Sequence, residues 1–148
     1  MSGVRIACVT GEIVTGTSAK TLLKIDAAAN HRVIINEFSI SFIGTSNTAQ
    51  PIKVDILTVS DDGTFTGLTP AKVISTDDET LEVTAWHTAT AEPTYGTVLF
   101  TEEVHPQTGY TWQSPFGREF HIPGGTCLAL RVTAAASTSA VARAFGEE

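Results

Sequence analysis

Apolar and polar residues alternate with a period of two along much of this chain. In Phe38-Ser39-Ile40-Ser41-Phe42 three large apolar side chains share one phase and two serines the other, which places them on opposite faces of a strand. Ile52-Lys53-Val54-Asp55-Ile56 repeats the pattern, with Lys53 and Asp55 outward. Leu128, Leu130 and Val132 alternate with Ala129, Arg131 and Thr133. Further strands are expected at 4–9, 21–26, 72–74, 97–100 and 140–145. The run Arg32 to Glu37 is apolar in both phases and sets Asn36 in the inward phase of Phe38, so a bulge is expected between Ile35 and Glu37. Asp61-Asp62-Gly63 reads as a hairpin turn. Pro123-Gly124-Gly125 reads as a turn between two strands.

Helical periodicity is weak. Ser18 offers a cap ahead of Ala19 to Ala29, but Thr21 and Ile25 disfavour a helix there, and a strand at 21–26 is the better reading. Short strands separated by turn signals imply a single-domain, all-β, antiparallel β-sandwich, jelly-roll-like, with about eight to ten strands over residues 1–148. Residues 1–17 are expected to be either an N-terminal arm or an edge strand. Two long connections, 75–96 and 106–116, interrupt the pattern. Loops of that length in a small domain usually carry function or contact a partner.

The composition narrows the function classes. Of the 148 residues, 17% are charged, against roughly 25% in a typical soluble domain. Two explanations stand: a surface largely covered by other subunits, whose interface cores are poor in charge, or a threonine-rich strand surface. The net charge is −7 and the nine basic residues are scattered, so direct nucleic-acid binding is not expected. No apolar run is long enough to cross a membrane as a helix, and the first residues lack the apolar core of a signal peptide, so synthesis in a cytoplasm is expected. Cys8 and Cys127 have no metal-type spacing and lie in strand-like runs, where free cysteine behaves as a small buried hydrophobe.

No catalytic constellation emerges. His31, His87, His105 and His121 form no H-x-H or H-x-x-x-H pair. A cluster of His105 and His121 with Glu103 and Glu119 requires that their strands pair, as in a cupin-like metal barrel; the glycine-and-two-histidine motif of that family is absent. Asp61-Asp62 and Asp77-Asp78-Glu79 match no calcium loop and read as solvated. There is no G-x-S-x-G elbow and no phosphate-binding glycine loop. No cofactor, metal or enzymatic activity is therefore expected. The candidate partner-contact residues are Trp86, His87, Tyr95, Tyr110 and Trp112 in the two long connections, because aromatics bury large area at small entropic cost. The competing reading is that the aromatics cap the open ends of the sandwich.

From about Ala19 to Phe145 the chain also resembles a group of small virion proteins of tailed phages. The resemblance is carried by Thr45-Ser46 after the Phe38–Phe42 strand, Pro51 to Leu57, Leu68-Thr69-Pro70-Ala71-Lys72, Trp86 to Thr94, Glu103-Val104-His105-Pro106 and Phe116-Gly117-Arg118-Glu119. It implies a capsid decoration (cement) protein on the capsid exterior of the virion. Its partners would be the major capsid protein and further copies of itself, most simply in a trimer. It assigns no residue roles. The alternative is a tail- or fibre-associated carbohydrate-binding sandwich that uses the loop aromatics.

Overall fold

The computed structural model describes residues 3–43 and 50–148; Met1, Ser2 and the Thr45-Ser46 pair lie outside them. Among the described residues there are thirteen strands: β1 Arg5–Val9, β2 Ile13–Val14, β3 Lys20–Asp26, β4 Val33–Ile43, β5 Ile52–Val59, β6 Thr64–Leu68, β7 Ala71–Lys72, β8 Thr84–Ala91, β9 Tyr95–Val104, β10 Tyr110–Gln113, β11 Phe120–Ile122, β12 Cys127–Thr133 and β13 Ser139–Glu147. The first sheet runs β10-β4-β13-β1-β7, with β11 also on β4 and β2 on β13; the second runs β6-β8-β3-β12-β5-β9. All pairings are antiparallel.

The pairings are nested. β1 lies on β13, β3 on β12, β4 on β10 and β11, and β5 on β9. Such nesting is a long hairpin rolled into two sheets, the connectivity of a jelly roll. The two sheets pack into one all-β sandwich.

Residue size explains how the first sheet closes on the second. The inward positions of β13 are Ala140, Ala142 and Ala144, directly opposite Phe42, Ile40 and Phe38 of β4. Small residues on the central strand make room for large ones beside it, so the layers interdigitate. From the second sheet Leu23, Ile25, Val54, Ile56, Leu128, Leu130 and Val132 complete the core. The expected bulge is present: Phe145 pairs with Glu37 and Gly146 with Ile35, so Asn36 is the extra residue. It restores Val33 and Ile35 to the core together with Phe38 and Ile40.

Several expectations need correction. The strands number thirteen rather than eight to ten, because β2, β7 and β11 are two- or three-residue pieces. The 72–74 strand shrinks to Ala71–Lys72. Asp61-Asp62-Gly63 is no hairpin turn: β6 is the edge strand, β5 lies four places away beside the opposite edge, and the segment crosses the strands between them. The described part of 1–17 is no free arm, since β1 is paired on both sides, by β13 fully and by β7 at two residues. The long connections are shorter than expected. Residues 75–96 contain β8 and residues 106–116 contain β10.

Candidate interaction surfaces

The centre of the outward face of the second sheet is closed by its own chain, while Val98 on the edge strand β9 stays exposed. Leu57, Val59, Cys127 and Ala129 form a small second apolar cluster there, with Tyr95 packed against it. Asp55 and Arg131 stand opposite each other beside it. The Asp55 carboxylate is wholly buried; Arg131 donates to Oδ2 from Nε at 3.1 Å and from an Nη at 2.7 Å, while the Thr101 hydroxyl donates to Oδ1 at 2.6 Å. The same guanidinium lies 4.4 Å over the Tyr95 ring.

A second charged group sits on β3. The Lys24 side chain is only 4% exposed, and its ammonium contacts Asp61 Oδ1 at 2.9 Å and Asp26 Oδ2 at 3.3 Å, with the Phe65 ring 5.2 Å away. Trp86 Nε1 donates to Asp26 Oδ2 at 3.0 Å. Burial opposes the Lys24 charge, but the Asp61 hydrogen bond and the nearby carboxylates outweigh it and hold the pKa above its ordinary value. Asp26, Asp61 and Cys127 bring three potential metal-ligating atoms together. The cation among them is the Lys24 ammonium, and burial, aided by Asp26, pushes the Cys127 thiol up to about 12, so it remains protonated. These residues form an internal clamp on the 60–63 crossing.

Neighbouring groups complete the closure. Asp62 accepts from the Thr94 amide at 2.8 Å and the Thr94 hydroxyl at 2.6 Å, which holds its pKa below the ordinary carboxylate value. Glu92 accepts from the Thr21 amide and from the Tyr95 hydroxyl. Sequence reading treated Asp61-Asp62 as solvated. Their role was not visible there because Lys24 is 37 residues from Asp61. β8 reaches this closure by bending at Thr88, a β-branched residue with φ of 53°.

The five expected contact residues do not form one surface, and all lie on strands. Trp86 and His87 are on β8 and Tyr95 opens β9; Trp86 is bonded to Asp26, and Tyr95 is held beneath Arg131. Tyr110 and Trp112 are on β10 and point between the sheets. There Phe100 stacks on Tyr110 at 6.0 Å, and Trp112 packs against Phe100 at 5.8 Å and Phe120 at 4.6 Å. For these two the capping reading describes the geometry, since they shut the sandwich edge and leave a gap of only about 10 Å³.

The histidines are also dispersed. His31 faces Glu82, His87 bonds Thr88, His105 accepts from the Gln107 amide, and His121 is exposed on β11. The conditional cluster at His105 and His121 does not form, because β11 pairs with β4 and not with β9. Cys8 lies inward on the first sheet and Cys127 outward on the second, and both are free and buried.

Among the described residues, exposed large apolar side chains include Ile74, Val98 and Leu99, and two further surfaces stand out. One is the turn between β10 and β11, where Phe116 is fully exposed. The turn is braced at both ends. Ser114 bonds the Asn36 carbonyl through amide and hydroxyl, Arg118 N–H donates to the Pro115 carbonyl, and the Glu119 carboxylate accepts from the Gly117 amide. Gly117 takes the left-handed conformation, φ 81°, that this turn requires. Phe116 closes the 106–116 connection expected from the sequence, and its flanking proline and glycine are the local signal that it sits at a loop tip. The other uncovered surface is the outward face of the first sheet, with Val9, Val14 and Ile43 exposed.

No protein-family model, curated protein or solved structure matches the chain.

Proposed function

We propose that this chain is a structural protein of a tailed-phage virion, most simply a capsid decoration protein that binds the assembled shell and its own copies. The proposal starts from the sequence resemblance. The observation that supports it best is Phe116, a large aromatic in full solvent exposure on a turn braced at both ends. A rigid aromatic loses little entropy when a partner buries it, and such residues commonly dominate interface energies. The buried charges around Asp55 and Lys24 serve the scaffold, holding crossing segments onto a sheet. Such bracing suits a protein whose task is mechanical. The carbohydrate-binding alternative loses support, because the aromatics it relied on are packed into the fold.

The test is co-sedimentation of the purified protein with phage shells lacking any decoration protein. Saturable binding that Phe116→Ala weakens by about tenfold or more supports the proposal. Absence of binding to such shells at concentrations up to about 0.1 mM overturns it.

A further inference from the structure

We infer that the outward face of the first sheet is a contact between copies of this chain. Across β10, β4, β13 and β1 the cross-strand rows of this face read Gln113–Glu37–Phe145–Ala7, then Thr111–Ser39–Arg143–Val9. Val141 lies opposite Ser41, and Ser139 stands between Ile43 and Val14. Val14 is 63% exposed, and Val9 and Ile43 are each 46% exposed. Val73, whose amide bonds the Arg5 carbonyl, extends the apolar margin and is itself exposed.

The two outward faces of the sandwich are treated differently. On the second sheet, loops, ion pairs and Tyr95 cover the central apolar positions and leave Val98 of the edge strand β9 exposed. On the first, among the described residues, nothing of the chain lies over Val9, Val14 or Ile43. The strands of the path β10-β4-β13-β1-β7 hold 31 residues, which at about 4.8 Å between strands and about 3.3 Å per residue give a flat area of about 500 Å². With side chains and flanking turns added, that reaches the roughly 600 Å² per partner of the smaller specific interfaces.

Charge selects the occupant. The chain carries −7 overall, so two copies repel over most approaches. The strand positions of this face carry Arg5 and Arg143 against Glu37 and Glu147, and so balance. Arg143 is tied down by a 2.7 Å bond to the Ser39 hydroxyl. A face of balanced charge with exposed valine and isoleucine, on an acidic molecule, is where a second acidic copy can approach without penalty. A low overall charge content follows if this face is covered in the working state. The inference does not depend on the virion reading.

Light scattering on the full chain tests it, with Val141→Glu and Ser41→Arg on the face and Leu99→Glu as an exposed apolar control on β9. Wild type and Leu99→Glu are expected at two or three times 15.6 kDa. Both face variants are expected to dissociate, with affinity lowered by roughly tenfold or more, while circular dichroism stays native. Using two face variants keeps the test decisive if one misfolds. A wild-type monomer at about 0.1 mM overturns the inference. So does association that survives both face variants, or face variants that lose shell binding while remaining oligomeric. Association without shell binding leaves this inference standing and removes the virion proposal.

Discussion

Asp55 and Arg131 are opposite each other on β5 and β12, and every oxygen of the buried carboxylate has a donor. A charge pair in this position stabilises little relative to apolar residues of equal size, yet removing one partner strands the other. Arg131→Met is therefore expected to cost about 3–5 kcal/mol. The double change Asp55→Leu with Arg131→Met is expected to recover most of that loss. Urea unfolding of the two single variants and the double variant checks the coupling; additive losses would refute it.

Lys24 and Asp62 set the limits of pH stability. The Lys24 pKa is raised in the fold, so its contribution is complete below the ordinary lysine value of 10.5 and disappears as pH rises through the folded value. The Asp62 pKa is lowered from 3.8, so its contribution is present above that value and is lost as pH falls through the folded one. Glu119, lowered from 4.5 by its own and the Gly117 backbone amides, acts in the same direction. The melting temperature is expected to be flat between these limits and to fall on both sides. In Lys24→Met the alkaline decline should shrink, and amide exchange at 60–63 should quicken.

Both thiols are expected to be inert in the native protein. Burial pushes Cys8 and Cys127 each up to about 12, leaving almost no thiolate near neutral pH. Maleimide at pH 7.5 should label neither residue until denaturant is added, and then both. Mass spectrometry reads the count, and one fast label on native protein would contradict the burial seen here.

The bend in β8 stores strain at Thr88. Non-glycine residues in that region cost on the order of 1–3 kcal/mol, so Thr88→Gly is expected to stabilise by about 1 kcal/mol, raising the melting temperature by roughly 2–4 °C. Gly63 behaves oppositely. Its φ is 89°, and a Cβ there would lie 2.7 Å from the Ala91 carbonyl oxygen, with Pro93 N at 2.9 Å. Gly63→Ala is expected to lower the melting temperature by several degrees.

The sandwich was legible wherever alternation used large apolar residues, as at Phe38–Phe42 and Leu128–Val132. It was not legible in β8, where Thr84-Ala85 and Ala89-Thr90 alternate alanine with threonine. Alanine is a weak hydrophobic marker and a poor strand former, although Ala85 and Ala89 are buried. β10 was lost for its length: only Tyr110 and Trp112 mark its inward phase. Reading those strands as loops put their aromatics on the wrong surface. The Lys24 and Arg131 clamps were out of reach, because both depend on which strands become neighbours and period-two patterning does not encode that order. The open face of the first sheet was foreshadowed only by the low charge content.

The nested pairing has a consequence for how the molecule is made. Arg5 lies opposite Glu147, and β13 is the central strand on which β1, β2 and β4 all depend. Such non-local contacts form late and slowly, because a long loop must be closed before they contribute any stability. On the ribosome the first sheet cannot assemble until its central strand has emerged. Until then β1 and β4 each keep open the edge that β13 will occupy, and the time that synthesis and folding take sets how long those edges are exposed to aggregation.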